Sequence, residues 1–567
     1  MNLKILGGAG RIAAIGAILL GSASCIYVDQ TLGKNFIPTD QKWNVYTPAP
    51  VALTGIRMQM ADSLSGYSTT RFTFGSVNDD LGTCMKSASF TLVPVMDSLD
   101  FGKNTKIRGF HFMAAKDTVS AASESQMKIL QNVYVSELKA PLDSNVLYAG
   151  SFMDSKFRDK YLDLTNIVTD GIPVYAGGDS LSFEFSREFT ESFITRLKKA
   201  DLDSMDLYLK DIPGFYITTD APAGQGGRIN MFNVKMSKND SGYLSGNYAE
   251  LKITADYGDR KDVDTSFVFL FGLGDFLKNL SSTSDITQFA FNSSEHDSAE
   301  KYSKDGVLAT DKIRIEGGCG IKPVVKASEI KDILDVQLAQ AGISDYREVV
   351  INKATILLPY SVDEYSALDT YPMILSPTVR LRSTEGKYVS YAGLTDSSIA
   401  SENQGDINRS LGMYTPDISH HVQEILKLDR NDPEFSNKIG NYDIWFLIMH
   451  TETTQTSNNN SMNDYYNNLM YNSYYNNMMY NPYGYGGYGY GGYGYGGYGY
   501  GGYGYGNNYY NYMMMAMYAS ASNGSNEKTT TEMDKDRYYK ANLNGPDAVS
   551  GAVPQLRITF SAPKTAE

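Results

Sequence analysis

Ala249-Glu-Leu-Lys-Ile-Thr-Ala-Asp-Tyr257 is the stretch whose pattern decides the fold. Ala249, Leu251, Ile253, Ala255 and Tyr257 fall on one side, and Glu250, Lys252, Thr254 and Asp256 on the other. A period of two marks an extended chain with one face buried and one face in water. Outward from it, the same signal predicts strands at 71–77, 89–95, 106–114, 133–138, 181–186 and 215–218. The most apolar run, 266–274, is far too short to cross a membrane as a helix and reads as a buried strand. A second series follows at 312–316, 349–359, 378–382, 443–451 and 555–561.

Helical patterns are few. Phe189, Phe193 and Leu197 recur every four residues within 187–199 and share one face. Ser328 is placed to cap a helix carrying Ile330, Ile333, Leu334 and Leu338; Asp417 or Ser419 is placed to cap one carrying Val422, Ile425 and Leu426. Short strands at this spacing, separated by Gly, Asn and Asp turns, predict an all-β chain. The expectation is two antiparallel β-sandwich domains of jelly-roll-like form, 45–310 and 311–567, parted in the polar stretch 292–311.

The opening of the chain has a different logic. Lys4 and Arg11 precede an apolar run, 12–20, which leads into Gly21, Ser22, Ala23, Ser24 and then Cys25. Charged, apolar and small residues in that order are an export signal. A cysteine directly after them is what lipoprotein processing requires, although Ser22 stands where Leu is usual. The reading is a signal peptide 1–24, a lipid on Cys25 and a polar tether 25–44. The tether then holds the body to an outer membrane, on either its periplasmic or its cell-surface face.

A net charge of -14, with 64 acidic against 50 basic residues, excludes nucleic acid as a partner, since phosphate binding needs clustered Lys and Arg. Cys84 and Cys319 remain, either as one disulfide or as two separately buried thiols, and neither has a Cys or His at metal-ligand spacing. Adjacent His420 and His421 point about 100° apart on a helix and read as solvated residues at its start. His111 and His450 sit within strand patterns. Asp201, Asp203 and Asp206 read as solvated acidic surface, and the glycines of 224–227 and 317–320 as turns or bulges, because neither cluster opens a helix. No nucleophile, general base or phosphate-loop motif stands out, so a non-enzymatic chain without metal or cofactor is expected.

From 455 to 526 the composition changes abruptly. Tyr483-Gly-Tyr-Gly-Gly487 begins an in-register repeat flanked by Asn/Tyr/Met runs, and Asp464 is the only charged side chain between Thr453 and Asn526. So much Gly and so little aliphatic bulk cannot offset the entropy of ordering, which predicts a disordered insertion at a loop tip of the second domain.

Thr31-Leu-Gly-Lys-Asn-Phe-Ile-Pro38, Gly214-Phe-Tyr-Ile217, Ile315-Glu-Gly-Gly-Cys-Gly-Ile321, Ile351-Asn-Lys-Ala354 and Leu556-Arg-Ile-Thr-Phe560 stand at intervals along the chain. Together they resemble a lipoprotein family of Bacteroidota known as domain of unknown function 4270. The resemblance implies location and architecture but no site residues. An Asp-Ser/Thr-apolar pattern at Ser63, Ser98, Thr118, Ser180, Ser204 and Ser298 matches the O-glycosylation acceptors of the same bacterial group. The resulting expectation is a binding or accessory subunit of a cell-envelope complex, with an outer-membrane protein as partner. The alternative is a surface glycan-binding or adhesive protein.

Overall fold

The computed structural model describes residues 43–563 apart from 62–63, 65, 67–70, 96–98, 122–125, 143–159, 235, 239–243, 273–284, 287, 289, 304, 362–370, 383–387, 399–402, 456–526 and 535–536. About 50% of the described residues are strand and 17% helix, every described strand pair is antiparallel and the helices are short, so the fold is all-β. Residues 1–42, which hold the expected signal peptide, Cys25 and most of the expected tether, and residues 456–526 of the Tyr-Gly stretch lie outside the described residues.

The strands read from alternation are present. Tyr248–Tyr257 lies between Lys103–Ala121 and Arg260–Gly272. Hydrogen-bonded neighbours continue through Gly226–Asn233, Arg71–Asp79 and Gly82–Pro94, and the last of these pairs back onto Arg260–Gly272. Two layers form, as a sandwich requires, but they share their ends. Gly82–Pro94 and Lys103–Ala121 are long enough to bend from one layer into the other, which closes six strands into a ring, while Phe215–Thr218, Tyr134–Leu138 and Leu162–Ile167 continue outward from Gly82–Pro94.

The inside of this first unit is packed with phenylalanine. Phe112 is fully buried, with ring centroids 5.6 Å from Phe90, 4.6 Å from Phe183 and 4.9 Å from Phe271. Helix Arg187–Leu197 buries Phe189, Phe193 and Leu197 in the same core, and Ser186 Oγ caps it by accepting from Phe189 N at 3.2 Å.

The second unit is a sandwich of a six-stranded and a seven-stranded sheet facing one core. Here the chain departs from the expected 45–310 and 311–567 division. Trp43–Tyr46 and Val51–Ala52 pair with Gln555–Pro563, and Arg57–Met60 pairs with Ile321–Val325. Leu53, Ile56, Met58 and Met60 belong to the second core, as does Tyr302 of the short helix Ala299–Tyr302. The first unit, from Arg71 to His296, is therefore inserted between early and late strands of the second. Alternation identifies a strand but carries no record of its partner.

Two helices complete the second core, and both are capped from a distance. Helix Ala327–Gln340 starts before Ser328; Asp443 accepts from its Ala327 N at 3.0 Å. Helix Ser419–Leu426 has Ile418 at its N-cap position, and Asp396 accepts from His420 N at 2.7 Å and His421 N at 3.1 Å. Asp417 instead pairs with Lys353 at 2.8 Å, and Ser419 Oγ accepts from Ala354 N at 2.8 Å.

Candidate functional site

The densest group of buried ionisable side chains lies where the two units meet. Strand Phe291–His296 adds to Gly82–Pro94 so that His296 stands opposite Cys84 and Ser294 opposite Lys86. All four side chains are buried on one face of the first unit. From the second unit, strand Lys312–Glu316, the turn 317–320 and Tyr538 close over that face.

Several charged and polar groups meet at the junction, although His296 Nε2 and the Tyr538 hydroxyl make no hydrogen bond there. Lys86 Nζ donates to Ser294 Oγ at 2.8 Å and stands 5.8 Å from the centre of the Tyr538 ring. His296 Nε2 stands 3.8 Å from Glu316 Oε2, within ion-pair but not hydrogen-bond distance, and that oxygen accepts from Ile321 N at 3.3 Å. Burial pushes the Glu316 carboxyl up, but His296, the Ile321 amide and the Lys86 charge together hold it below its ordinary range. Lys322 donates to three main-chain carbonyls: Glu316 O, Gly318 O at 2.9 Å and Gly320 O at 3.3 Å. Burial drives its pKa down to about 7. The glycines of 317–320 thus form a turn, as expected, and one wrapped around an ammonium. A Cβ on Gly317 would come within 2.4 Å of Arg537 O, so only glycine admits that neighbour.

Beside this cluster, the hairpin tip between Arg71–Asp79 and Gly82–Pro94 plugs into the second unit. Leu81 enters the second core, while Asp79 pairs with Lys540 and Asp80 with Arg314. An apolar plug flanked by ion pairs fixes the units against one another more firmly than exposed pairs would.

Cys84 and Cys319 both end in this junction as buried free thiols, not as a disulfide. Burial pushes the Cys84 thiol up to about 11, which suppresses the nucleophilic thiolate. The cavity among Lys86, Ser294, Cys319 and Tyr538 measures about 10 Å³, room for one water molecule but not for a substrate. The arrangement serves to hold two units in register.

The remaining sequence-derived residues are scattered. His111 lies on a strand, exposed, 2.9 Å from Glu184. His450 lies on a strand and is buried. His421 is not solvated as expected: it is buried, with Nε2 donating to Tyr442 O at 2.8 Å, and burial lowers its pKa. Asp201, Asp203 and Asp206 are exposed. Among the glycosylation candidates, Ser180 is exposed at the start of Ser180–Glu184, and Ser204 and Ser298 are half-buried before short helices. Thr118 lies in Lys103–Ala121, while Ser63, Ser98 and Cys25 fall outside the described residues.

Trp445 is buried against Tyr391 with the Arg380 guanidinium 4.8 Å from its ring, so it offers no platform to a sugar. Among the described residues, no group of three or more His, Cys, Asp or Glu stands together to hold a metal, and no helix is long and apolar enough to cross a membrane. Compared with known proteins, the chain matches no family model, no curated protein and no solved structure.

Proposed function

We propose that the chain is an outer-membrane lipoprotein, held by a lipid on Cys25, that acts without catalysis as a binding or accessory subunit of a cell-envelope complex. The observation that carries this reading is the order of Lys4 and Arg11, the apolar run 12–20, the small residues 21–24 and Cys25. The resemblance to a Bacteroidota lipoprotein family agrees with that location. The body lends support of a physical kind. Two β units joined through a buried junction limit the freedom lost on binding, which suits recognition of a partner.

The test is to solubilise the tagged full chain in mild detergent, purify it by affinity, and analyse its mature N-terminus and companions by mass spectrometry. A stoichiometric outer-membrane barrel supports the subunit reading. Binding to a polysaccharide panel without any protein companion favours the glycan-binding or adhesive alternative. A mature N-terminus other than a lipid-bearing Cys25 removes the anchor.

A further inference from the structure

The described chain begins at Trp43, on strand Trp43–Tyr46 at the edge of the six-stranded sheet. Among the described residues this strand pairs on one side only, with Gln555–Pro563. Tyr46 turns inward and stacks on Phe560, with centroids 5.2 Å apart. Alternation then sends Val45 and Trp43 outward, and they are 65% and 49% exposed.

The same outer face continues across three strands, with the buried, polar Ser561 between its apolar members. Val45 stands opposite Ser561, and Ser561 stands opposite Val350 on the far side, which is 47% exposed. Trp43 stands opposite Pro563. Four apolar side chains thus share the outer face of one sheet corner, and exposed Arg557 lies further along the same face.

We infer that this corner rests on the lipid headgroup layer of the membrane that carries the Cys25 anchor; the inference builds on the lipid-anchored reading above. Three arguments single out a bilayer as the occupant. From Cys25 to Trp43 the chain reaches at most about 60 Å, so this corner is the first described part of the body after the anchor and stays within that reach of it. Tethering turns a weak surface contact into an intramolecular one, with an effective concentration in the millimolar range for a short linker. Indole is also the side chain best suited to the boundary between headgroups and acyl chains. A face too small and too weak to hold a free protein on a bilayer becomes sufficient once the lipid has delivered it there.

The experiment uses the only two tryptophans in the chain, Trp43 and Trp445, of which Trp445 is buried. Lipidated full-length Trp445→Phe is reconstituted into phosphatidylethanolamine–phosphatidylglycerol vesicles whose acyl chains carry bromine near the headgroup or near the bilayer centre. The expected result is a blue-shifted Trp43 emission, quenched at least about twofold by the shallow bromines and less by the deep ones. The double variant Val45→Asp/Val350→Asp should lose that quenching yet still float with the vesicles. If Trp445→Phe folds poorly, subtracting the signal of Trp43→Phe from that of the unaltered chain isolates the same fluorophore.

Emission identical in brominated and plain vesicles, from protein whose lipid is verified by mass and flotation, overturns the inference and leaves the anchor standing. Protection from aqueous iodide without bromine quenching also overturns it, because a protein then covers the face. Absence of lipid on Cys25 overturns both readings together.

Discussion

Gln455 and Glu527 face each other as the outermost registered pair of a two-stranded ribbon, although residues 456–526 run between them. Strands Ile444–Gln455 and Glu527–Met533 pair without a register shift from Met449 and Met533 outward. The insertion therefore leaves and re-enters the fold at adjacent points, and the ribbon needs nothing from it except closure.

Replacing 456–526 by Asn-Gly, a sequence suited to a two-residue hairpin turn, should leave the body folded. Shortening the loop lowers the entropy cost of closing it, so the urea midpoint should hold or rise. Circular dichroism with urea titration measures this; a lost cooperative transition would show that the insertion is part of the body.

The Phe112 ring packs against four other phenylalanine rings in the first unit, those of Phe72, Phe90, Phe183 and Phe271, and is fully buried. Phe112→Ala should cost about 3–5 kcal/mol, from lost transfer energy and the cavity left behind. The expected readout in denaturant unfolding is a lowered midpoint; a cost under about 1 kcal/mol would mean the core collapses freely around the site.

Lys322 carries the main pH signature. Its ordinary pKa of 10.5 falls to about 7 in the folded chain, so between those values the unfolded chain holds a proton that the folded chain has released. Stability therefore rises with pH across that window. Cys84 acts in the opposite sense above pH 9, because its thiol is raised from 9.0 to about 11. Between pH 7 and 8.5 the unaltered protein should gain stability more steeply than Lys322→Met. At pH 7 the variant should itself lose about 1–3 kcal/mol, because its carbonyl partners lose their donor. Equal slopes in the two proteins would remove Lys322 as the source.

Asp396 caps helix Ser419–Leu426 from outside it, accepting from two of its first amides. Asp396→Ala should cost about 1–2 kcal/mol, the usual value of a cap, with slight loss of helical signal. Unchanged stability would indicate that water replaces the carboxylate there without cost.

Both junction thiols are buried and free. Iodoacetamide at neutral pH should label neither in the native protein and both after denaturation without reductant. Rapid native labelling, or a need for reductant, contradicts the described junction.

Strand identity was legible because an apolar residue at every second position has one physical reading. Lys312–Glu316 and Phe215–Thr218 fall where alternation puts them. Pairing was not legible: nothing in Arg57–Met60 indicates that its partner lies at Ile321–Val325, since ladder bonds are made by the backbone alone. The helix caps escaped for a related reason, as Asp396 and Asp443 act across the fold and local spacing reveals only local caps. The junction left a faint trace in the sequence. Lys322 interrupts an otherwise apolar strand directly after the small-residue turn 317–320, and a charge in that position needs acceptors close at hand.

The interleaving of the two units has a consequence for biogenesis. Trp43–Tyr46, among the earliest strands to be made, must wait for Gln555–Pro563, among the last, before either is complete. The phenylalanine-rich ring needs no such delay, since its strands all lie between Arg71 and His296. A chain emerging from the ribosome would then assemble its middle unit first and complete the second unit only when its late strands return to its early ones.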